Sequence, residues 1–205
     1  MELRGRGLRR IPWQLRYEHS ARAASALRRL AIKATHGHCT VEFRGPVYLG
    51  PGFSLMIPQH GTLIVGEGVS FRRGFVCEIA DHGRVEIGAN TTFTSNALIQ
   101  CTTSIVIEED CVFAQSAMIV DGSHRFRDPD RPMLQQGYDF RPVHIGRGAS
   151  VMSKCTVLAN IGERAFIGAG STVVRDIPAY CLAVGSPARV VEYFGPPGKG
   201  PEVSG

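Results

Sequence analysis

The chain has 205 residues, of which 43% are apolar and 20% charged, the balance of an ordinary globular domain. It has no run of eighteen apolar residues, so the sequence predicts no membrane-spanning helix. The formal charge of +5 is uneven, because residues 1–33 carry +7 and the remainder about −2. The basic character therefore belongs to the N-terminal segment and does not indicate a nucleic-acid-binding body.

The first 36 residues form a basic segment, MELRGRGLRRIPWQLRYEH and its continuation, without the apolar stretch of a signal peptide. We therefore expect a cytoplasmic protein. Residues 14–34 are rich in Ala, Leu and Arg and predict a helix. Its apolar face would carry Leu15, Ala23, Leu27, Leu30 and Ala34. Two interpretations stay open: residues 1–33 contact an anionic membrane surface, or the helix packs across the base of the body with its arginines outward.

The six cysteines show no CxxC pair or other spacing typical of a zinc site. They are Cys39, Cys77, Cys101, Cys111, Cys155 and Cys181. A disulfide framework is typical of small secreted chains, so the sequence predicts reduced, buried thiols.

From residue 65 onward, large apolar residues recur every six positions. The run IGANTT FTSNAL IQCTTS places Ile87, Phe93 and Ile99 at inward positions, and the fifth place of most hexads is small. A period of six matches neither a helix nor a long alternating strand, but it fits a triangular solenoid with about eighteen residues per coil. A glycine often follows the leading residue, as at Gly88, and we expect it to supply the backbone freedom of the turn. The solenoid domain is predicted over residues 37–191.

The six-residue pattern stops at residues 120–143, VDGSHRFRDPDRPMLQQGYDFRPV. This segment predicts a protruding loop, and long loops in compact repeat domains are usually functional. After the solenoid, residues 192–205 form a tail rich in Gly and Pro.

Three stretches carry a resemblance to a known family: IVDGSHRFRDPDRP, IGERAFIGAGSTVVRDIP and AVGSPARVV. Through them the segment 87–191 resembles the hexapeptide acyltransferases, especially the galactoside, maltose and polysaccharide O-acetyltransferases and the xenobiotic acetyltransferases. The resemblance implies an all-β, left-handed parallel β-helix that assembles as a homotrimer. It also implies acetyl-CoA as co-substrate without a metal, and a hydroxyl acceptor on a sugar or glycan.

His124 is the candidate general base. Imidazole suits removal of a proton from an acceptor hydroxyl, and His124 lies in the irregular loop rather than at an inward position. The equivalent loop histidine is the base in the enzymes that the chain resembles. Asp121 could orient the imidazole or bind the acceptor, or it could cap the turn of the loop. The resemblance also implies that Asn96, 28 residues before His124, contacts the acceptor, although Asn is an ordinary turn residue too.

The resemblance assigns the CoA side to four later residues. The backbone N–H of Ser153 would face the thioester and stabilise its developing negative charge. The backbone at Ala169 would hold the pantetheine arm, and Arg175 and Arg189 would contact the CoA phosphates. One departure is Ser150, which stands where many relatives have a tryptophan covering the CoA arm.

Three alternatives were weighed against acetyl transfer to a sugar. The γ-type carbonic anhydrases share this fold, but His60, His82, His124 and His144 lack the spacing of that family's zinc-binding pair. A non-catalytic scaffold would need neither the loop nor the closing AVGSPARVV signature. An antibiotic or other small-molecule acceptor, and a longer acyl donor, stay open.

Overall fold

The computed structural model describes residue 12, residues 19–198 and residue 200. Most of the basic segment before residue 19 and the end of the tail therefore lie outside the described residues. The helix α1 spans Ser20–Thr35, and a short 3-10 helix spans Met133–Gln135. No helix among the described residues has both the length and the apolar character needed to cross a membrane.

The described part of the chain also forms twenty-one strands. In chain order they are β1 (Thr40–Phe43), β2 (Tyr48–Leu49), β3 (Ser54–Met56), β4 (Thr62–Val65), β5 (Ser70–Phe71), β6 (Val76–Ile79), β7 (Arg84–Ile87), β8 (Thr92–Phe93), β9 (Leu98–Cys101), β10 (Ser104–Ile107), β11 (Val112–Phe113), β12 (Met118–Val120), β13 (Gly122–His124), β14 (Tyr138–Phe140), β15 (Val143–Ile145), β16 (Ser150–Val151), β17 (Thr156–Val157), β18 (Phe166–Ile167), β19 (Thr172–Val173), β20 (Cys181–Gly185) and β21 (Ala188–Tyr193).

Three parallel sheets form the sides of a prism, and the chain visits them in turn. The first sheet has the order β1-β4-β7-β10-β15, and the third has the order β19-β17-β12-β9-β6-β3. The second sheet has the order β2-β5-β8-β11-β16-β18-β20-β21, with β21 antiparallel to β20. Each coil up to β15–β17 therefore contributes one strand to each side, as the six-residue period predicts, and the later coils add only the bridge residues Ile161 and Ile177 to the first side.

The core is a column of stacked side chains inside the prism. The predicted inward residues Ile87, Phe93 and Ile99 are at most 3% exposed. The rings of Phe71, Phe93 and Phe113 stack at centroid distances of 5.2 and 4.6 Å, because neighbouring coils place them in register. The small fifth places are buried as well: Thr91, Ala97, Cys111, Ala117, Ala149, Cys155, Ala165 and Ser171.

The glycine after each leading residue was predicted to supply the backbone freedom of the turn, and this reason was wrong. The left-handed backbone occurs at the fourth place of the hexads, for example at Asn90 and Asn96, with φ near 60°. Gly88 has no such φ, but a Cβ built on it would overlap the backbone nitrogen of Glu109 in the next coil. The glycine is required by the close approach of two coils.

All six cysteines are free, as predicted, and all except the half-buried Cys39 are buried. Burial raises the pKa of the Cys101 thiol to about 12 and that of Cys111 to about 11. The thiols therefore stay protonated and serve as small core side chains.

The helix α1 covers the base of the prism. Ser25 Oγ accepts a hydrogen bond from the backbone N–H of Leu49 (2.8 Å) and donates one to the carbonyl of Val47 (3.3 Å). Arg28 Nη1 donates to the Leu49 carbonyl at 2.9 Å. Leu27 and Leu30, predicted to share an apolar face, are 68% and 65% exposed. The face toward the coils is therefore polar in part, and Arg28 points inward rather than outward.

Candidate active site

The protruding segment is a β-hairpin, which we call the arm (residues 121–142). It leaves the body where the chain passes from the third sheet to the first, between β12 and β15. Within it β13 pairs antiparallel to β14, with His124 opposite Tyr138. An exposed ion pair between Arg125 Nε and Asp139 (2.7 Å) continues the pairing beyond β13. The sequence predicted a loop here, and the structure shows that it has strands of its own.

His124 lies half-buried in the arm. Its ring packs against Tyr138 at a centroid distance of 4.3 Å, and Tyr138 stacks on Phe140 at 5.6 Å. Its Nδ1 atom is buried and makes no hydrogen bond with the described residues. Aromatic packing thus restricts the orientation of the imidazole.

A cavity of about 340 Å³ opens beside this ring. Its lining comes from the outer face of the third sheet and from the arm: Gln100, Thr102, Val120, Gly122, Ser123, His124, Tyr138 and Phe140. Of these residues only His124 was picked out from the sequence. In the sequence, the alternation of Tyr138 and Phe140 directly after Gly137 is the pattern that could have indicated a strand following a turn. In the structure Gly137 has a φ of +79°.

Asp121 is 2% exposed, and its carboxylate forms hydrogen bonds with the preceding coil. It accepts hydrogen bonds from the backbone N–H groups of Thr102, Thr103 and Ser104 and from the Thr103 hydroxyl. No hydrogen bond joins Asp121 to His124 among the described residues. The carboxylate thus caps the turn of the preceding coil rather than the turn of the loop, and among the described residues it makes no hydrogen bond with the candidate base.

The other root of the arm is tied to the last coils. The backbone N–H of Arg141 donates to the Asp121 carbonyl at 2.8 Å. The Arg141 guanidinium donates to both carboxylate oxygens of Asp176 at 2.6 and 2.7 Å. Asp176 also accepts from the backbone N–H of Asn160 at 2.9 Å. These contacts fix both ends of the arm to the prism.

Asn96, Ser153 and Ala169 lie along a different edge of the prism, where the chain passes from the second sheet to the third. Backbone bonds connect this column from coil to coil: the N–H of Lys154 donates to Gln115, and that of Gly170 to Ser153. Asn96 and Ala169 are exposed. The Ser153 N–H donates no hydrogen bond to the described residues. The structure thus aligns three predicted site residues but does not bring them to His124 within one protomer.

The two predicted arginines lie apart. Arg189 is exposed on β21, opposite Val184, at the top of the column that holds Ser153 and Ala169. Arg175 is exposed beside Asp176, on the edge from which the arm emerges. Ser150 is half-buried on the outer face of the second sheet, between Val112 and Phe166 of the adjacent coils.

The histidines of the body do not converge on one centre. His144 Nε2 lies 3.2 Å from Glu108, His124 lies in the arm, and His60 and His82 lie together near the base of the prism.

Sequence comparison finds acetyltransferases. The chain is 31% identical over 169 residues to a Mycobacterium tuberculosis protein named a probable acetyltransferase, a match covering 80% of the chain and 55% of that protein. It is 49% identical over 51 residues to the dTDP-3-amino-3,6-dideoxy-alpha-D-galactopyranose 3-N-acetyltransferase of Aneurinibacillus thermoaerophilus, covering 24% of the chain and 27% of the enzyme. The chain thus spans about half or less of these relatives. No protein-family model matches it.

Solved structures share the fold. The hexapeptide-repeat acetyltransferase VCA0836 of Vibrio cholerae, complexed with acetyl coenzyme A, has a TM-score of 0.55 at 19% identity and matches 89% of this chain and 92% of its own. Galactoside acetyltransferase in complex with coenzyme A has a TM-score of 0.54 at 18% identity, with coverages of 91% and 78%. The predicted left-handed parallel β-helix is confirmed. The chain is therefore similar in sequence to proteins named acetyltransferases and shares the fold of the hexapeptide-repeat acetyltransferases.

Proposed function

We propose that the protein transfers an acetyl group from acetyl-CoA to a hydroxyl of a sugar or glycan-like acceptor, with His124 as general base. The observation that carries the proposal is the position of His124, half-buried against Tyr138 and lining a cavity of about 340 Å³. An imidazole held by packing beside an open cavity can reach an acceptor hydroxyl.

The proposed chemistry is direct transfer. His124 removes the hydroxyl proton while the oxygen attacks the thioester carbonyl, and the C–S bond then breaks. The CoA sulfur leaves as a thiolate and takes up the proton from the imidazolium. No protein nucleophile and no metal are needed in this scheme.

The donor would lie along the edge that carries Ser153 and Ala169. The free N–H of Ser153 would stabilise the negative charge that develops on the carbonyl oxygen. The exposed corner at Ala169 leaves room for the pantetheine arm, and Arg189 at the top of the same column would contact phosphate. Phe166, beside Ser150 and 38% exposed, offers apolar cover where relatives carry a tryptophan. Arg175 lies on the edge from which the arm emerges, not on the donor column. It would contact the CoA phosphates only if acetyl-CoA bound to one protomer reached Arg175 of a second protomer.

A homotrimer would complete the site. In one protomer the base lies on the edge from which the arm emerges, and the donor column lies across the third sheet from it. In a three-fold assembly a neighbouring protomer would bring its donor column toward the arm. Asn96 lies on that column and would then approach the acceptor from the partner subunit. Under this proposal each active site is shared between two copies.

The acceptor class is supported by the names of the relatives. Galactoside acetyltransferase and the dTDP-amino-sugar N-acetyltransferase both act on sugars. The chain is 49% identical over 51 residues to the dTDP-amino-sugar N-acetyltransferase. This identity favours an amine of a nucleotide-linked sugar as an additional candidate acceptor.

Replacement of His124 tests the proposal. We expect His124→Ala to lower turnover roughly 10²–10⁴-fold, the usual contribution of a general base. Thiol release from acetyl-CoA would be followed with sugars, nucleotide sugars, amino sugars and antibiotics as acceptors. The control is His144→Ala, since His144 is exposed, pairs with Glu108 and does not line the cavity. If turnover of His124→Ala stays close to wild type, His124 is not the general base. If no CoA thioester binds, the non-catalytic scaffold is favoured.

We also propose a cytoplasmic location in which the outer face of α1 contacts an anionic membrane surface. Leu27 and Leu30 are exposed on this face, and Lys33 lies in the same last turns. Replacing both leucines with serine should abolish co-sedimentation with anionic liposomes. Sedimentation equal to that of the wild type would leave α1 as a cover for the coils alone.

A further inference from the structure

Two turns near the base of the prism repeat the pattern Ile-x-x-His-Gly, at residues 57–61 and 79–83. Both turns lead from the third sheet to the first in neighbouring coils. The N–H of His82 donates to the carbonyl of His60 at 2.8 Å. A Cβ on Gly83 would lie 2.9 Å from Ile79 Cγ2, so the glycine keeps the turn tight behind its histidine. Coil stacking therefore places His60 and His82 directly above one another.

Asp81 completes a cluster with these two histidines. The imidazole rings are stacked at a centroid distance of 5.8 Å with an interplanar angle of 14°. Asp81 Oδ1 lies 3.4 Å from His60 Nδ1, and Asp81 Oδ2 lies 3.6 Å from His82 Nε2. One nitrogen or oxygen from each of the three residues lies within 4.8 Å of the others.

The carboxylate is held in place. Its Oδ1 accepts a hydrogen bond from the backbone N–H of His60 at 3.0 Å. This bond fixes the orientation of the carboxylate between the two imidazoles. The two imidazoles thus face a fixed negative charge, although all three side chains are open to solvent on their other sides.

We propose that His60, Asp81 and His82 form a surface site for a divalent transition metal of the Zn²⁺ or Ni²⁺ type. Two imidazoles and one carboxylate are ligands that these ions prefer, whereas Mg²⁺ and Ca²⁺ prefer oxygen alone. Zn–N and Zn–O bonds of about 2.0–2.2 Å require the three ligand atoms to draw closer than they lie now. The histidine side chains are 75% and 81% exposed, so rotation about their side-chain bonds can bring them together. The remaining coordination positions would hold water.

The proposed metal site is separate from the proposed acetyl-transfer site at His124. The next turn on the same edge, Cys101–Ser104, is two residues shorter and carries no histidine, which ends the column of imidazoles. The coil that bears the arm lies two strand spacings from His82, about 10 Å along the prism. A bound ion would therefore join the turns of the first two complete coils and stabilise the base of the prism.

Calorimetric titration of the untagged, full-length protein with ZnCl₂ and NiCl₂ tests the site. We expect one equivalent bound per chain, and no response to MgCl₂. His60→Gln and His82→Asn should each weaken binding by about 100-fold, since even changes beyond the ligands cost about 10–100-fold. Asn is chosen for position 82 because φ there is 60°, which Asn tolerates. The control His144→Gln alters an exposed histidine that has a carboxylate partner but no second imidazole.

Thermal unfolding supplies the second readout. Saturating Zn²⁺ should raise the Tm of the wild type and of His144→Gln, and should leave His60→Gln and His82→Asn unchanged. Absence of binding to the wild type would overturn the proposal. So would binding that survives in the double variant His60→Gln/His82→Asn, or that is lost in His144→Gln.

Discussion

Asp121 shows how one buried carboxylate shapes the proposed site without touching the base. Its oxygens accept hydrogen bonds from three half-buried backbone N–H groups at residues 102–104. Its own carbonyl receives the N–H of Arg141 at the far root of the arm. One residue therefore joins the preceding coil to both roots of the segment that carries His124.

We expect Asp121→Ala to lower the free energy of unfolding by about 3 kcal/mol, because several donors lose their acceptor in a buried position. Chemical denaturation followed by circular dichroism would measure this loss. Asp139→Ala is the matched control from the same arm, where the carboxylate makes an exposed ion pair and should contribute at most about 1 kcal/mol. Equal effects for the two variants would contradict the assigned role of Asp121.

The sequence located the candidate base but left the role of Asp121 open. His124 stands out because it lies where the six-residue period stops, and that break is visible in the sequence alone. The partners of Asp121 lie about twenty residues earlier, at the same corner of the preceding coil. A single sequence does not show that a turn there presents three N–H groups toward one carboxylate, so capping and catalysis remained equal candidates.

At the scale of elements, the hexad separates two requirements that both favour glycine. Where glycine occupies the second place, as at Gly88, a neighbouring coil passes so close that a side chain would overlap its backbone. The fourth place requires a left-handed backbone and accepts Asn, Asp, Ser or Lys as well as Gly. The two places therefore tolerate different substitutions.

Gly88→Ala should destabilise the fold by about 3 kcal/mol, because its Cβ would overlap the backbone of Glu108 and Glu109. Gly148→Asn should change stability by less than about 0.5 kcal/mol, since Gly148 has a φ of +66° and its Cβ would meet only Arg164 Cγ, at 3.4 Å. Urea unfolding of both variants measures the difference. A tolerated alanine at position 88 would show that the coils can separate.

Periodicity predicted the elements that repeat and was less informative about those that do not. The inward residues of the coils followed directly from the six-residue count. The sequence predicted an apolar face on α1 but not the face that packs on the base of the prism. Ser25 and Arg28 bond to backbone groups there, while Leu27 and Leu30 face solvent. The strands of the arm were missed because each has only three residues and its partner lies across an irregular connection.

At the scale of the whole molecule, the proposed base and the proposed donor column occupy different edges of one prism. The arm leaves between the third and first sheets, whereas Ser153 and Ala169 lie between the second and third. Under the proposal, a site shared between copies would join them. The oligomer would then be a requirement for activity.

Mixed oligomers provide the test. His124→Ala removes the base, and Ala169→Trp places a large ring at an exposed corner of the donor column. Each variant alone should be inactive. Coexpressed in equal amounts they should recover about a quarter of wild-type activity, since an interface pairing an intact His124 with an intact Ala169 forms at that frequency. Purified separately and assayed without subunit exchange, they should recover none. Lack of recovery after coexpression would place both halves of the site in one copy.

The side chains of α1 at the base have a consequence for solubility. A stack of parallel coils can in principle grow without limit, because each terminal strand offers the same pattern of N–H and C=O groups to any chain that arrives. Ser25 and Arg28 occupy those groups at Val47 and Leu49, and at the opposite end of the second sheet β21 reverses direction. At both ends of the second sheet the chain itself thus occupies the edge groups through which copies could add end to end into a fibre.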